Sequence, residues 1–131
     1  MTKELAKAWL FSAPADLKSI GYIIHDEFLS HIVAFHAQQC VEKSFKAILE
    51  NSQKRVPKEH STLKLYGMIQ PEIQMDLDMD ILTDLDDLYI DARYPGDFGL
   101  LPHGKPSREE AREFMMFAQE IFETISNHVG A

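Results

Sequence analysis

The chain has 131 residues, of which 45% are hydrophobic and 26% are charged, and its formal net charge is −8. The composition is that of an ordinary globular protein, and the length suffices to bury a hydrophobic core without disulfides or metal ions. The acidic balance argues against tight, independent binding to nucleic acid, because phosphate neutralisation supplies most of the nonspecific affinity. We therefore expect a single domain over residues 1–131, in which any RNA contact depends on a local basic patch.

Cysteine content and hydropathy indicate the compartment. Cys40 is the only cysteine, so no disulfide can form within the chain, which is typical of a reducing environment. The sequence contains no run of about 18 apolar residues, and its first residues lack the apolar run of a signal peptide. We expect a cytoplasmic protein that does not contact a membrane, with Cys40 as a small buried residue.

Helical periodicity runs through most of the chain, and no stretch shows the alternation of a strand. A first helix is expected over residues 3–27, with Pro14 either kinking it or delaying its start. Ser107 and Glu110 have the spacing of a capping box and predict the start of the final helix. The remaining helices are predicted over residues 31–51, 62–69 and 78–92. This pattern predicts an all-α fold, an up-and-down four-helix bundle with an additional short helix.

The second predicted helix separates two faces of different chemistry. Its broad arc, at about 100° per residue, is mostly apolar and is predicted to face the core. The members of that arc are Val33, Ala34, Ala37, Cys40, Val41, Ser44, Phe45 and Ile48. A narrower arc, with hydrogen-bonding groups at successive turns, contains His36, Gln39, Lys43, Lys46 and Glu50. Either these side chains bind a ligand or a partner, or they hydrogen-bond to other helices of the bundle.

Three large apolar residues of the same helix, Ile32, Phe35 and Leu49, lie off its broad apolar arc. Apolar side chains outside the arc that faces the core are typical of a surface that contacts another protein. These residues therefore indicate a homodimer.

Seven aspartates lie between residues 76 and 91. They begin like a calcium-binding loop, but Ile81 occupies the position that requires glycine. One stripe of the predicted helix, opposite its apolar face, contains Asp80, Asp84, Asp87 and Asp91. This stripe predicts a solvated face, which can also dock on a basic partner. The six histidines show no metal-ligand spacing, so we expect neither a metal site nor a cofactor.

Arg93 stands at the predicted end of the same helix, before a segment rich in Pro and Gly that begins with Tyr94 and Pro95. An arginine in this position can pair with a nearby aspartate or with the carbonyls at the helix end. It can equally bind an anion, because the guanidinium group matches the oxygens of a phosphate. The sequence leaves both interpretations open.

Two segments together resemble the HEPN domain family (higher eukaryote and prokaryote nucleotide-binding). The first is the run Phe35-His36-Ala37-Gln38-Gln39, continued by Glu42-Lys43 and Lys46-Ala47, and the second is Ala92-Arg93-Tyr94-Pro95. The resemblance extends over most of the chain through Trp9-Leu10, Ala13, Asp16-Leu17, Pro57, His60 and Leu63. It implies a five-helix bundle, usually a homodimer, in a bacterial or archaeal cytoplasm.

The resemblance also implies a class of partner. Stand-alone HEPN proteins are often encoded beside a minimal nucleotidyltransferase, and several such pairs act as toxin and antitoxin. Our leading interpretation is a HEPN-like dimeric module that binds a nucleotide, a minimal nucleotidyltransferase partner or both. The residues predicted to line or support its site are His36, Gln39, Lys43, Arg93 and Tyr94.

Many HEPN domains are metal-independent ribonucleases that use an Arg followed a few residues later by a His. In this chain the first histidine after Arg93 is His103, ten residues on, so the spacing of that motif is not kept. A metal-independent endoribonuclease toxin is therefore the alternative, with Arg93 stabilising the phosphorane and His103 transferring the proton. A second alternative is a purely structural interaction protein that docks through its acidic helix.

Overall fold

The protein forms five α-helices and a short 3-10 helix in a computed structural model that describes residues 2–91 and 105–130. The elements are α1 (Thr2–Ile23), the 3-10 helix (Glu27–Leu29), α2 (Ser30–Asn51), α3 (Thr62–Ile69), α4 (Met79–Asp91) and α5 (Arg108–Val129). The described residues form no strand, so the all-α prediction of four long helices and one short one is confirmed. None of the described helices combines the length and hydropathy needed to cross a membrane.

α1 ends at Ile23, although the sequence predicted a helix up to residue 27. The carboxylate of Asp26 accepts a hydrogen bond from the backbone N–H of Phe28 at 3.0 Å, which caps the 3-10 helix. Capping by an aspartate offers the backbone an alternative to continuing the helix, and so ends it. Pro14 lies inside α1 and does not delay its start. Its side chain is exposed.

α2 is the central helix and contacts each of the other four. The eight residues of its broad arc are all buried, as predicted. Leu49 is buried too, so the prediction that it contributes surplus apolar surface is wrong. A helix packed on several sides buries more than one face, and Leu49 lies in the core for that reason. Ile32 and Phe35 are half-buried.

The capping box predicted for the last helix is present at the start of α5. The side chain of Ser107 accepts from the backbone N–H of Glu110 at 3.0 Å, and the carboxylate of Glu110 accepts from the N–H of Ser107 at 2.9 Å. At the other end, Gly130 adopts a left-handed φ of 79°, which glycine tolerates without a steric penalty. The two caps fix where α5 begins and ends.

Asp86 joins α4 to the beginning of α3. Its buried carboxylate accepts from the hydroxyl of Ser61 at 2.9 Å and from the hydroxyl of Thr62 at 2.7 Å. It also accepts from the backbone N–H groups of Thr62 at 2.8 Å and of Leu63 at 3.0 Å. One side chain from another helix therefore satisfies donors that the first turn of α3 leaves without helical partners.

The acidic stripe of α4 is largely solvated, as predicted. Asp80 and Asp87 are exposed and Asp84 is half-buried, while the side chain of Asp91 lies outside the described residues. Burial, followed by repulsion from Asp87 and Asp80, raises the pKa of Asp84 above its usual range. The described residues contain no cluster of three His, Cys, Asp or Glu side chains that could hold a metal ion.

Cys40 should be chemically inert in the folded protein. Its side chain is fully buried, and burial raises the pKa of the thiol to about 12, so almost no thiolate is present near neutral pH. We expect a thiol-specific reagent to modify Cys40 only after denaturant is added, at the rate of an unfolded cysteine. Rapid modification of the native protein would contradict the packing of α2 described above.

Candidate functional site

Asp16 of α1 holds two basic side chains of α2. Its Oδ1 lies 2.9 Å from Nδ1 of His36, and its Oδ2 accepts a hydrogen bond from Nζ of Lys43 at 2.9 Å. The carboxylate is buried, whereas His36 and Lys43 are half-buried. Because a buried charge is costly unless it is paired, the two partners compensate for its loss of water and tie α1 to α2.

Glu42 is the centre of a second buried network on the neighbouring face of α2. Its Oε2 accepts a hydrogen bond from Nζ of Lys46 at 2.9 Å, and its Oε1 accepts one from Nε2 of Gln38 at 3.4 Å. All three side chains are buried and follow one another at intervals of four residues. Gln39 joins the network by donating from Nε2 to Oε1 of Gln38 at 2.8 Å.

The connection between α2 and α3 brings His60 to this network. The carbonyl of His60 accepts from Nε2 of Gln38 at 2.6 Å, and its ring Nδ1 lies 3.3 Å from Oε1 of Glu42. Glu59 Oε2 accepts from the backbone N–H groups of His60 and Ser61, both at 3.1 Å, which fixes the turn. The Ser61 hydrogen bond lowers the pKa of Glu59. The side chain of His60 is 52% exposed, so its outer edge is open to solvent.

Aromatic rings connect His60 to α4 and back to α2. Tyr89 of α4 stacks on Phe35 with ring centroids 5.6 Å apart, and the His60 ring lies 5.6 Å from Tyr89 on a tilted plane. The Phe35 ring contacts His36 edge-on at 5.6 Å. A row of rings therefore connects the two polar networks of α2, with buried Tyr89 between Phe35 and His60.

An open pocket of about 450 Å³ lies beside these networks, between α1, α2 and the connection to α3. Nζ of Lys46 stands 5.5 Å from the centroid of the Trp9 ring, a cation–π distance. The residues that line the pocket, named here the Trp9 pocket, are Trp9, Lys46, Glu50, Val56, Pro57, Lys58 and His60. It thus combines an indole ring with two lysines and an imidazole, on a chain whose net charge is −8.

Two other pockets are lined by more carboxylates. One of about 420 Å³ is also lined by His60 and includes Glu59, Asp86 and Asp87. Another, of about 430 Å³, lies between the residues before α4 and α5 and includes Asp76, Asp78 and Glu120. Carboxylates repel an anionic ligand, and the Trp9 pocket has one, Glu50, whereas each of the other two pockets has three. The Trp9 pocket is therefore the best candidate for an anion among these three.

The structure brings three of the predicted site residues together on α2. His36 and Lys43 meet at Asp16, and Gln39 contacts the Glu42 network through Gln38. The interhelical hydrogen bonds considered for this arc are therefore present for His36 and Lys43. The other predicted residues, Arg93, Tyr94 and His103, lie outside the described residues.

Sequence reasoning did not single out Gln38 and Glu42 as site residues, and it placed Lys46 on the hydrogen-bonding arc of α2 without identifying Glu42 as its partner. A signal was available, because Gln38, Glu42 and Lys46 follow at i, i+4 and i+8 and so share one line of the helix. Nothing in the sequence spacing could reveal that Trp9 and His60, which lie on other elements, border the same pocket. That convergence depends on the packing of three segments.

Two comparisons with known proteins give matches over nearly the whole chain. A family model described as HEPN domain matches residues 6–128. The crystal structure of TT1696 from Thermus thermophilus is similar, with a TM-score of 0.74 and 26% sequence identity. That similarity covers 94% of this chain and 97% of the other. No curated protein matches the chain.

Proposed function

The chain belongs to the HEPN domain family, and on this premise we propose that it is a dimeric module that binds a nucleotide in the Trp9 pocket. The observation that carries the proposal is the composition of that pocket, in which Trp9 lies beside Lys46, Lys58 and His60. An indole ring can stack on a nucleobase, and lysine and imidazole donors can bind a phosphate. No metal ion or cofactor is needed for this binding.

The charges of the pocket assign different roles to its two lysines. Lys46 is buried and neutralised by Glu42, so it serves to position the Trp9 ring. Lys58 is exposed, so its flexible side chain can reach a bound phosphate, whereas the carboxylate of Glu50 repels one. The base therefore stacks on Trp9 and the phosphate lies toward Lys58 and His60.

The residues predicted from the sequence support this site from two sides. Gln39 steadies Gln38, which holds the His60 carbonyl, while His36 and Lys43 fix α1, which carries Trp9. Arg93 and Tyr94 follow Tyr89 closely in the chain, and Tyr89 contacts His60. We propose that Arg93 and Tyr94 complete the binding surface.

Calorimetric titration with nucleoside monophosphates tests the proposal. We expect saturable binding that exceeds the binding of either the nucleoside or inorganic phosphate alone. Replacing one lining charge should change the affinity by roughly fivefold, the effect of a close charge at an exposed site. Lys58→Gln should weaken binding and Glu50→Gln should strengthen it.

These two substitutions should change the affinity in opposite directions, so each is a control for the other. A general loss of structure would weaken nucleotide binding in both variants. An electrostatic effect in the pocket would instead weaken binding in Lys58→Gln and strengthen it in Glu50→Gln. Lys64→Gln, outside the Trp9 pocket, should leave the affinity unchanged. Equal affinities in all four proteins would contradict the proposed site.

One observation favours a second candidate, a metal-independent endoribonuclease. Glu42 holds Nδ1 of His60 at 3.3 Å, so the outer nitrogen is available for proton transfer at the surface. In this candidate Arg93 stabilises the phosphorane, and either His60 or His103 transfers the proton. RNA cleavage that persists in the presence of a chelator and is lost in Arg93→Ala would support this candidate. Comparing the cleavage rates of His60→Ala and His103→Ala would identify the histidine that transfers the proton.

The family resemblance also motivates a protein partner. We propose a minimal nucleotidyltransferase encoded beside this chain as that partner, and a toxin–antitoxin relation between the two as its consequence. Co-expression of the neighbouring gene products followed by purification through one of them tests the pairing.

A further inference from the structure

α4 and α5 leave a groove between them in the described part of the chain. Both helices pack against α2, whereas contacts between α4 and α5 themselves are sparse. Two open cavities follow this gap: the one of about 430 Å³ between the residues before α4 and α5, and another of about 480 Å³ that begins at Glu109 of α5. The two cavities adjoin, because Phe117 and Glu120 line both of them. We name this surface the α4–α5 groove.

The floor of the groove is apolar. Leu77, Ile81 and Phe117 line it and are half-buried, and Ile121 lines it as part of the buried core. Met116 also borders the groove and is 65% exposed. The unbranched thioether side chain of methionine adapts to partners of different shape. The floor therefore offers apolar surface whose burial by a partner is favourable.

The rim of the groove is acidic. Five carboxylates line the two cavities, against Arg112 as the one lining cation. The carboxylates belong to Asp76, Asp78, Glu109, Glu113 and Glu120. All five are exposed, and within the described ranges none of them forms an ion pair. A surface of this sign attracts cationic groups and repels phosphates.

The charge of the rim distinguishes between possible occupants. A second copy of this chain seated on the same groove would bring acidic rim against acidic rim, and juxtaposed like charges cost free energy. A nucleic acid would meet the same repulsion. A metal ion is disfavoured, because the described residues contain no cluster of three His, Cys, Asp or Glu side chains that could hold one. A basic segment of another protein fits both the rim and the apolar floor.

The dimensions of the groove favour a helix as that segment. The lining residues of α5 run from Glu109 to Thr124, which corresponds to about 22 Å along the helix axis and to about fifteen residues of a helix lying beside it. The described residues form no strand whose edge could pair with an extended peptide, whereas a helix satisfies its own backbone groups. A helix can pack its side chains into the groove between two others.

We propose that the α4–α5 groove binds a basic amphipathic helix of another protein. The apolar side chains of that helix, spaced at i, i+3, i+4 and i+7, lie on the floor against Ile81 and Phe117. Lysines or arginines on its flanks pair with the carboxylates of the rim, and an acidic side chain can pair with Arg112. The groove shares no lining residue with the Trp9 pocket, so this inference goes beyond the proposed nucleotide binding and does not depend on it.

Fluorescence anisotropy with labelled synthetic peptides and the full chain tests the proposal. The probe is a peptide of about fifteen leucines and lysines, with the leucines at helical spacing so that they form one stripe. The control peptide has the same composition in an order that gives no stripe. We expect the striped peptide to bind saturably, to gain helicity by circular dichroism, and to bind roughly tenfold more tightly than the control peptide. Its affinity should fall as salt is added.

Charge reversal on the protein identifies the surface. Glu113→Lys/Glu120→Lys reverses two charges of the rim and should weaken binding of the striped peptide roughly tenfold or more. The matched control, Glu4→Lys/Glu123→Lys, makes the same change in net charge at exposed glutamates that do not line the groove. It should bind within roughly twofold of wild type, because distant exposed charges are screened. All four positions are exposed, and circular dichroism confirms that the variants fold.

A second pair of variants tests the apolar contact. Met116→Ser removes an apolar side chain that borders the groove and should weaken binding roughly fivefold. Met68→Ser makes the same change at a 41% exposed methionine of α3, outside the groove, and should leave the affinity unchanged.

Each outcome decides the inference. Binding of the striped peptide that is weakened in the groove variants and kept in the control variants supports it. Equal binding of the two peptides overturns the helix as the occupant, and equal affinities in groove and control variants overturn the surface. If the wild-type chain does not bind the striped peptide, because a second copy or another part of the chain fills the groove, the inference fails. The nucleotide titration then still tests the Trp9 pocket separately.

Discussion

Replacing Glu42 with Gln should lower the free energy of unfolding by about 3 kcal/mol. The substitution keeps the size of the side chain but removes the charge that pairs with buried Lys46 at 2.9 Å. A buried ammonium group without its counter-ion costs about 3–5 kcal/mol when one partner of such a pair is removed. The change also disturbs His60, whose Nδ1 faces the same carboxylate. Chemical denaturation followed by circular dichroism measures the loss.

Glu50→Gln is the matched control, because it makes the same change on the same helix at a half-buried carboxylate. We expect its effect on the free energy of unfolding to stay within about 0.5 kcal/mol. Adding Lys46→Met to Glu42→Gln should recover much of the stability, since the unpaired charge is then removed. Equal stability of wild type and Glu42→Gln would show that Lys46 finds water or another partner.

Replacing Asp86 with Ala should cost about 3 kcal/mol of stability. The substitution leaves the hydroxyls of Ser61 and Thr62 and two backbone N–H groups at the start of α3 without their acceptor. Losing a helix-capping side chain costs about 1 kcal/mol, and each buried donor left unsatisfied adds about 1–3 kcal/mol before water relaxes into the site. Thermal unfolding measures the effect, and amide hydrogen exchange should show that α3 opens first.

Asp84→Asn is the control for Asp86, on the same helix two residues away. The pKa of Asp84 is higher in the folded protein than in the unfolded chain, mainly because of burial. Such a carboxyl opposes folding above its folded pKa, and its cost disappears as the pH falls through that pKa. We therefore expect Asp84→Asn to be neutral or stabilising at pH 7. A destabilisation comparable to that of Asp86→Ala would contradict the different roles assigned to the two aspartates.

Local sequence signals were sufficient for most of the fold. The eight apolar positions of α2, the capping box at Ser107 and the bounds of α3 follow from periodicity and cap chemistry, and the structure agrees with each. These features depend on residues close in sequence, which is why spacing reveals them. The predicted end of α1 was too late because the side chain of Asp26 caps the 3-10 helix that follows, in a stretch whose periodicity is otherwise helical.

The candidate site depends on contacts between residues that are distant in the sequence, and these contacts could not be predicted from spacing. The sequence placed Lys46 on a hydrogen-bonding arc but did not identify its partner, which is Glu42 on the same helix; both side chains are buried. Leu49 read as surplus surface because the packing of four helices around α2 is not encoded in the period of α2 alone. The large apolar side chains that are exposed in the described residues lie on other elements, among them Phe11, Tyr22, Phe28 and Met116.

The most direct test of the proposed function uses Trp9, the only tryptophan of the chain, as a reporter inside the pocket. Its fluorescence should change in a saturable manner as a nucleoside monophosphate is added, with the dissociation constant found by calorimetry. Lys58→Gln should shift that titration to higher concentration. Calorimetric binding without any change in Trp9 fluorescence, or with the same change in Lys58→Gln as in wild type, would contradict a nucleotide site at the Trp9 pocket.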